Sequence, residues 1–144
     1  MQIIEPKTAA DFEAYYRLRW EILRAPWGKP VGSEKSEQEN EAIHAMIYDD
    51  NKQALAVCCL LMNTPEIGQL RFMAVRTNVQ KTGAGKKIIS YLENIATEKG
   101  AKKIILHARE NAVGFYEKQG YVVIEKSYNL WDKIQHYLME KKVK

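Results

Sequence analysis

Two apolar segments, Gly68–Val75 and Lys103–Ala108, flank a stretch with helical spacing, and this arrangement restricts the fold more than any other part of the sequence. Between Gly85 and Lys99 the apolar residues Ile88, Tyr91, Leu92, Ile95 and Ala96 recur on one side of a helix, and Gly100 supplies the stop. The unit from Gln69 to Ala108 reads as a strand–helix–strand crossover, so its two strands are expected to lie parallel. Lys103 to Ala108 is a continuous apolar run, the pattern of a strand buried on both faces.

The rest of the chain adds antiparallel elements around this unit. Gln2–Glu5 reads as a short first strand. Thr8-Ala9-Ala10-Asp11 pairs a hydroxyl cap with an acid three residues on. Phe12, Tyr15, Tyr16, Leu18, Ile22 and Leu23 then give one apolar stripe to about Arg24. Pro26, Gly28, Pro30 and Gly32 break that helix, and the acidic stretch Ser33–Glu41 is expected as a second helix or a mobile loop. Strands follow at His44–Tyr48 and Gln53–Leu61, separated by turn-forming residues. A short helix, Ala112–Gln119, lies between Asn111 and Gly120, and strands Tyr121–Tyr128 and Ile134–Glu140 close the chain. The expected fold is α/β (α+β), one domain over residues 1–144. Its sheet is mixed and mostly antiparallel around a central parallel pair, with helices on both faces.

Composition sets outer bounds on function. With 46% hydrophobic and 28% charged residues the chain resembles an ordinary globular domain. No run reaches the ~20 apolar residues of a membrane span, and the first residues lack the pattern of a secretory signal. Neither membrane nor secretion is expected. Cys58 and Cys59 are neighbours, so on a strand they point to opposite faces and cannot comfortably bridge. They are expected to be small core residues in a reducing cytoplasm. The net charge of +4 suits an anionic partner, and a phosphate-bearing cofactor needs only a local patch such as Arg76, Lys81, Lys86 and Lys87. Nucleic acid and metal are not expected; a homodimer is the default oligomer.

The most informative segment is Val75–Lys87, where a strand ends and Gln80-Lys81-Thr82-Gly83-Ala84-Gly85-Lys86 opens a helix. Exposed N–H groups at a helix start, with the positive end of the helix dipole, make an anion site. Glycine there lets a phosphate approach the main chain. A nucleotide-triphosphatase loop would need Gly where Gln80 stands and Ser or Thr where Lys87 stands; a dinucleotide fingerprint would need Gly at Ile88. Both fail.

Gln80 through Gly85 instead matches the pyrophosphate signature of the GCN5-related N-acetyltransferase (GNAT) family: Gln or Arg, two residues, Gly, one residue, Gly or Ala. Further on, Phe115-Tyr116-Glu117-Lys118-Gln119-Gly120-Tyr121 closely resembles that family's segment after its fifth strand. The resemblance implies that the two parallel strands splay apart and that acetyl-coenzyme A is the cofactor, its pantetheine arm in the gap. It implies that backbone groups of Met73 and Val75 bond the arm and thioester. The segment Gln80, Lys81, Thr82, Gly83, Ala84, Gly85 and Lys86 would hold the pyrophosphate. It also makes Tyr116 the acid that protonates the leaving thiolate, a role suited to a phenol of reference pKa about 10. Where the family usually carries a cofactor-contacting Asn, Arg109 stands here, with Asn111 two residues on. Either Arg109 takes the contact or reaches a phosphate, or Asn111 serves, with helix capping the stronger role for Asn111.

The implied activity is transfer of an acetyl group to an amine of a small molecule or peptide by direct attack in a ternary complex. A non-catalytic acyl-coenzyme A sensor of the same fold is the alternative. Amine attack needs a general base, and Glu41, His44, Glu66, His107 and His136 are the candidates, each also explicable as structural. Trp20 and Trp27 are candidate pocket walls, and Glu34, Glu37, Glu39 and Glu41 a candidate attraction for a cationic amine or simply a solvated surface. The acceptor itself is not legible.

Overall fold

In a computed structural model, which describes residues 2–143, the chain forms seven strands and three α-helices. In order they are β1 (Gln2–Ile4), α1 (Ala9–Leu23), β2 (Ile43–Tyr48), β3 (Ala54–Thr64), β4 (Ile67–Val75), α2 (Ala84–Glu98), β5 (Lys103–Arg109), α3 (Val113–Lys118), β6 (Val122–Leu130) and β7 (Ile134–Lys142). The strands make one sheet in the order β1-β2-β3-β4-β5-β7-β6. β4 and β5 are parallel, in the register Ile67↔Lys103, Gly68↔Ile104 and Gln69↔Ile105, as the crossover demands. The pairs β1–β2, β2–β3, β5–β7 and β6–β7 are antiparallel. The mixed, mostly antiparallel sheet is the one expected from the sequence.

Two compact units make up the chain. The first comprises residues up to Leu61 with Phe72–Leu92. Here α1 begins at a complete capping box: the Thr8 hydroxyl accepts from the Asp11 amide at 3.0 Å and the Asp11 carboxylate accepts from the Thr8 amide at 3.2 Å. Two otherwise orphaned donors are thereby satisfied. Tyr15, Leu18 and Leu23 of α1 pack with Met46, Ala54, Val57 and Ala74 in one buried cluster. Cys58 and Cys59 are both buried in β3. Gly28 ends the turn after α1 with φ +69°, where a side chain is disfavoured.

Residues between that turn and β2 contain neither a second helix nor a strand; they are turns. What holds them is a row of side chains reaching backbone carbonyls. Trp20 Nε1 donates to Lys29 O (3.0 Å), Arg24 Nε to Ser33 O (3.1 Å), Arg19 to Glu34 O (3.2 Å) and His44 Nε2 to Glu39 O (2.8 Å). Each bond satisfies a carbonyl that no ladder would reach.

The second unit comprises Met62–Arg71 with Glu93 onward. β5 alternates, with Ile104, Leu106 and Ala108 buried and the residues between them half-buried. The expectation of burial on both faces is corrected here: the apolar run concealed an ordinary period of two. Glu93 accepts from Tyr121 (2.8 Å) and pairs with Lys141 (3.1 Å), tying the last turns of α2 to the start of β6 and to β7.

Candidate active site

The turn and the last part of β4 leading into it, Phe72–Val75, lie in the first unit. β4 runs through Phe72, whose φ of +56° is left-handed, a conformation disfavoured for a bulky residue. The Phe72 ring is covered by the Arg19 guanidinium, 4.3 Å from its centroid. Immediately after it come half-buried Met73 and Val75 with buried Ala74 between them. Arg76 closes the strand: its amide donates to Leu55 O (2.8 Å) and its Nε to Ala54 O (3.0 Å). Strand and turn are thus pinned at their junction.

The turn proper has the geometry of an anion cradle. Lys81 (φ +70°) and Gly83 (φ +90°) are both left-handed, and alternation of left- and right-handed residues points successive amides to one side. A Cβ built on Gly83 would meet nothing within 4 Å, so its demand for glycine is conformational and the space beside it is open. The first bond of α2 runs from Lys87 N to Gly83 O (2.9 Å). The amides of Gly83, Ala84, Gly85 and Lys86 therefore precede intrahelical pairing, as at any helix start. Lys81, Thr82, Gly83 and Lys86 are exposed, while Ala84 and Gly85 are buried. Gln80 uses its side chain internally, donating from Nε2 to Val75 O (3.3 Å), and so braces the turn against the end of β4.

Tyr116, Arg109 and Asn111 lie in the second unit. Tyr116 is 8% exposed on α3, set edge-on to Phe115 (5.1 Å) and Tyr121 (6.1 Å). Arg109 ends β5 opposite His136. Asn111 is exposed within a single 3-10 turn, and the N-cap of α3 is Ala112, with no side-chain cap. Its expected capping role is corrected: the 3-10 turn already leads into the helix and leaves the Asn side chain off the cap position.

The candidate bases separate sharply. His44 is buried with both nitrogens engaged, Nδ1 by the Tyr15 hydroxyl at 2.7 Å and Nε2 by Glu39 O at 2.8 Å. Burial first, with the charge of Arg19 adding, holds its imidazole below the ordinary value although Glu39 opposes this. Glu41 and Glu66 are exposed, and Glu66 pairs with Lys102 at 2.8 Å. His136 is 4% exposed and its Nδ1–H donates to Ile134 O (2.9 Å). His107 differs from all of these, since its Nδ1 is buried without a hydrogen-bond partner.

Nor is the acidic stretch a merely solvated surface. Glu34 is 2% exposed and accepts from the Gly32 amide. Glu39 accepts from Arg19 (2.9 Å), Tyr16 (2.9 Å) and the amide and hydroxyl of Ser36. Burial opposes ionisation of Glu39, but these donors outweigh it and hold the carboxyl below its usual value. Trp20 holds the loop through its Nε1–H bond to Lys29 O. Sequence inspection missed Arg19, fully buried at the centre of this set; its place beside Tyr15 and Tyr16 on the apolar stripe was the available signal.

The chain belongs to the acetyltransferase (GNAT) family, whose model matches residues 12–121. It is 30% identical over 141 residues to the uncharacterized N-acetyltransferase YjcF of Bacillus subtilis (strain 168), covering 98% of this chain and 99% of that one. Among solved structures it resembles an aminoglycoside 6'-N-acetyltransferase complexed with coenzyme A, with a TM-score of 0.83 at 18% identity over 100% of this chain and 98% of the other. The aminoglycoside 6'-N-acetyltransferase from Enterococcus faecium gives a TM-score of 0.80 at 18% identity, with the same coverage. These structures establish the fold. Family membership supports acyl transfer as the general chemistry. Among the described residues no helix is long and apolar enough to cross a membrane.

Proposed function

We propose that this protein is an acetyl-coenzyme A-dependent N-acyltransferase that moves an acetyl group to an amine of a small molecule or peptide by direct attack in a ternary complex in the cytoplasm. The observation that carries the proposal is the turn at Gln80–Gly85: two left-handed residues, open space beside Gly83, and unpaired amides at the start of α2. That donor set fits a diphosphate, which needs several N–H groups and no intervening Cβ. When bound, acetyl-coenzyme A supplies the acetyl group activated as a thioester.

The chain's own residues have distinct parts in this proposal. Amides from Lys81 to Lys86 bind the pyrophosphate, and Gln80 keeps the turn in shape through Val75. Backbone groups of Met73 and Val75, displaced from regular strand geometry by Phe72, donate to and accept from the acyl-bearing arm. Arg109 or Asn111 adds a contact on the second unit. Tyr116 holds a proton at its phenolic oxygen for the departing thiolate. The acceptor amine must lose its own proton to a base.

Calorimetry with coenzyme A and acetyl-coenzyme A tests the binding half. Gly83→Asp is expected to abolish the heat, because it adds bulk and negative charge where the diphosphate lies; unchanged affinity removes the turn from the site. Tyr116→Phe is expected to slow amine-dependent thiol release about a hundredfold with little change in cofactor affinity, and an unaltered rate removes its acid role. Cofactor binding with no thiol release for any amine would identify an acyl-coenzyme A sensor instead.

A further inference from the structure

One cluster in the second unit is used neither by the turn nor by Tyr116. His107 on β5 stands opposite Leu138 on β7, and Arg109 opposite His136, so these side chains share one face of the sheet. Arg71 of β4 lies two residues beyond the last parallel pair, Gln69↔Ile105, and its charge acts on the His107 ring of β5. Tyr128 of β6 completes the cluster, stacked on His136 at 4.3 Å and 5.5 Å from His107. Carboxylates on this face stand apart from its centre: Glu140 pairs with Lys103 at 3.5 Å, and Glu125 is exposed opposite Leu138.

This face therefore presents guanidinium charge and neutral imidazole, with an aromatic wall. A second cation placed there is repelled; an anionic group is attracted and can be gripped by a planar fork of donors. A guanidinium carries five N–H groups, so an internal contact leaves others for a ligand. His107 adds a group whose Nδ1 has no partner, and a buried polar atom left unpaired calls for an explanation. No internal bond at that nitrogen fixes the tautomer of the ring, unlike His136.

We infer that the strand face carrying Arg71, His107 and His136 is the acceptor subsite, and that it selects amines whose molecule also bears an anionic group, a carboxylate or a phosphate. The inference rests on the acyltransfer reading above and deepens it by naming the acceptor class. It sets this chain apart from structural neighbours named for aminoglycosides, whose acceptors are polycations. Arg109 is not required for it, since that residue remains open to the cofactor side.

The test follows the His107 imidazole by NMR, its signal assigned with His107→Asn, while matched amines are titrated with and without coenzyme A. The probes are L-tyrosine against tyramine, phosphoethanolamine against ethanolamine, and spermidine. The His107 signal is expected to move with tyrosine or phosphoethanolamine at concentrations about tenfold below those needed for the uncharged-tail partner; which of the two acts decides between carboxylate and phosphate. Arg71→Met should erase that preference and Arg71→Lys should keep part of it. A His107 signal that moves with none of the probes, or that moves equally well with tyramine or spermidine, overturns the inference. Coenzyme A heat with no such shift sinks this proposal alone; the shift with no coenzyme A heat sinks the acyltransfer reading, and with it the acceptor role of this face, leaving only an anion-binding surface.

Discussion

His44, buried, and His107, half-buried, stand on strands of the two units, and their surroundings are opposite. His44 sits in a saturated set: Tyr15 and Glu39 take both its nitrogens, and Arg19, itself 0% exposed, bonds Tyr15 (2.9 Å) and Glu39 (2.9 Å). His107 shares its face with an arginine and a tyrosine ring and has no hydrogen bond to its buried nitrogen. A polar group that is fully paired contributes rigidity and costs dearly when broken. A group left unpaired gives up stability and keeps its chemistry. The pair shows how one small chain divides its buried polarity between construction and use.

Several changes would break that contrast. The largest effect is expected from Arg19→Met, which strips the Glu39 carboxylate and the Tyr15 hydroxyl of a buried partner. Urea unfolding should show a loss of about 3–5 kcal/mol, and a loss comparable to a surface change would refute the structural role. Next is pH. The folded His44 favours the neutral form, its value lying below the 6.5 of the free side chain. Its contribution is therefore full above about pH 6.5 and is lost as pH falls through that value towards the folded one. His107 is shifted in the same direction, burial leading and Arg71 second. Urea midpoints compared at pH 7.5 and pH 5.5 should fall with acid by at most about 1.4 kcal/mol per pH unit for each proton taken up, and His44→Asn should flatten that decline. The smallest effect is expected from His107→Asn: with no hydrogen bond to lose at Nδ1, stability should stay within about 0.5 kcal/mol. A large loss there would turn His107 into a second structural histidine.

The crossover, the cap at Thr8 and the glycine turn were legible because each is local: a period, a pair of residues three apart, a short run at a helix start. Four features were not. The segment from Lys29 to Ala42 is ordered by Trp20, Arg24, Arg19 and His44, which lie outside it, so its own composition gave only acidity. The alternation of β5 was masked because half-buried Ile105 and His107 occupy the open face among apolar neighbours. Phe72 puts a bulky side chain in a left-handed conformation within β4, which tertiary packing enforces against local preference. Arg71, His107 and His136 come from three strands distant in sequence, so no local pattern announces them as a group.

The carbonyls that receive those four side chains are present on every residue type. Evolution can therefore rewrite the exposed positions between Gly28 and Ala42 freely, provided that Glu34 and Glu39 within the segment and the fastening residues Arg19, Trp20, Arg24 and His44 outside it are kept. Such a segment behaves as an interchangeable cassette on a fixed mount, and variants grafted from relatives should seat without redesign of the body that bears them.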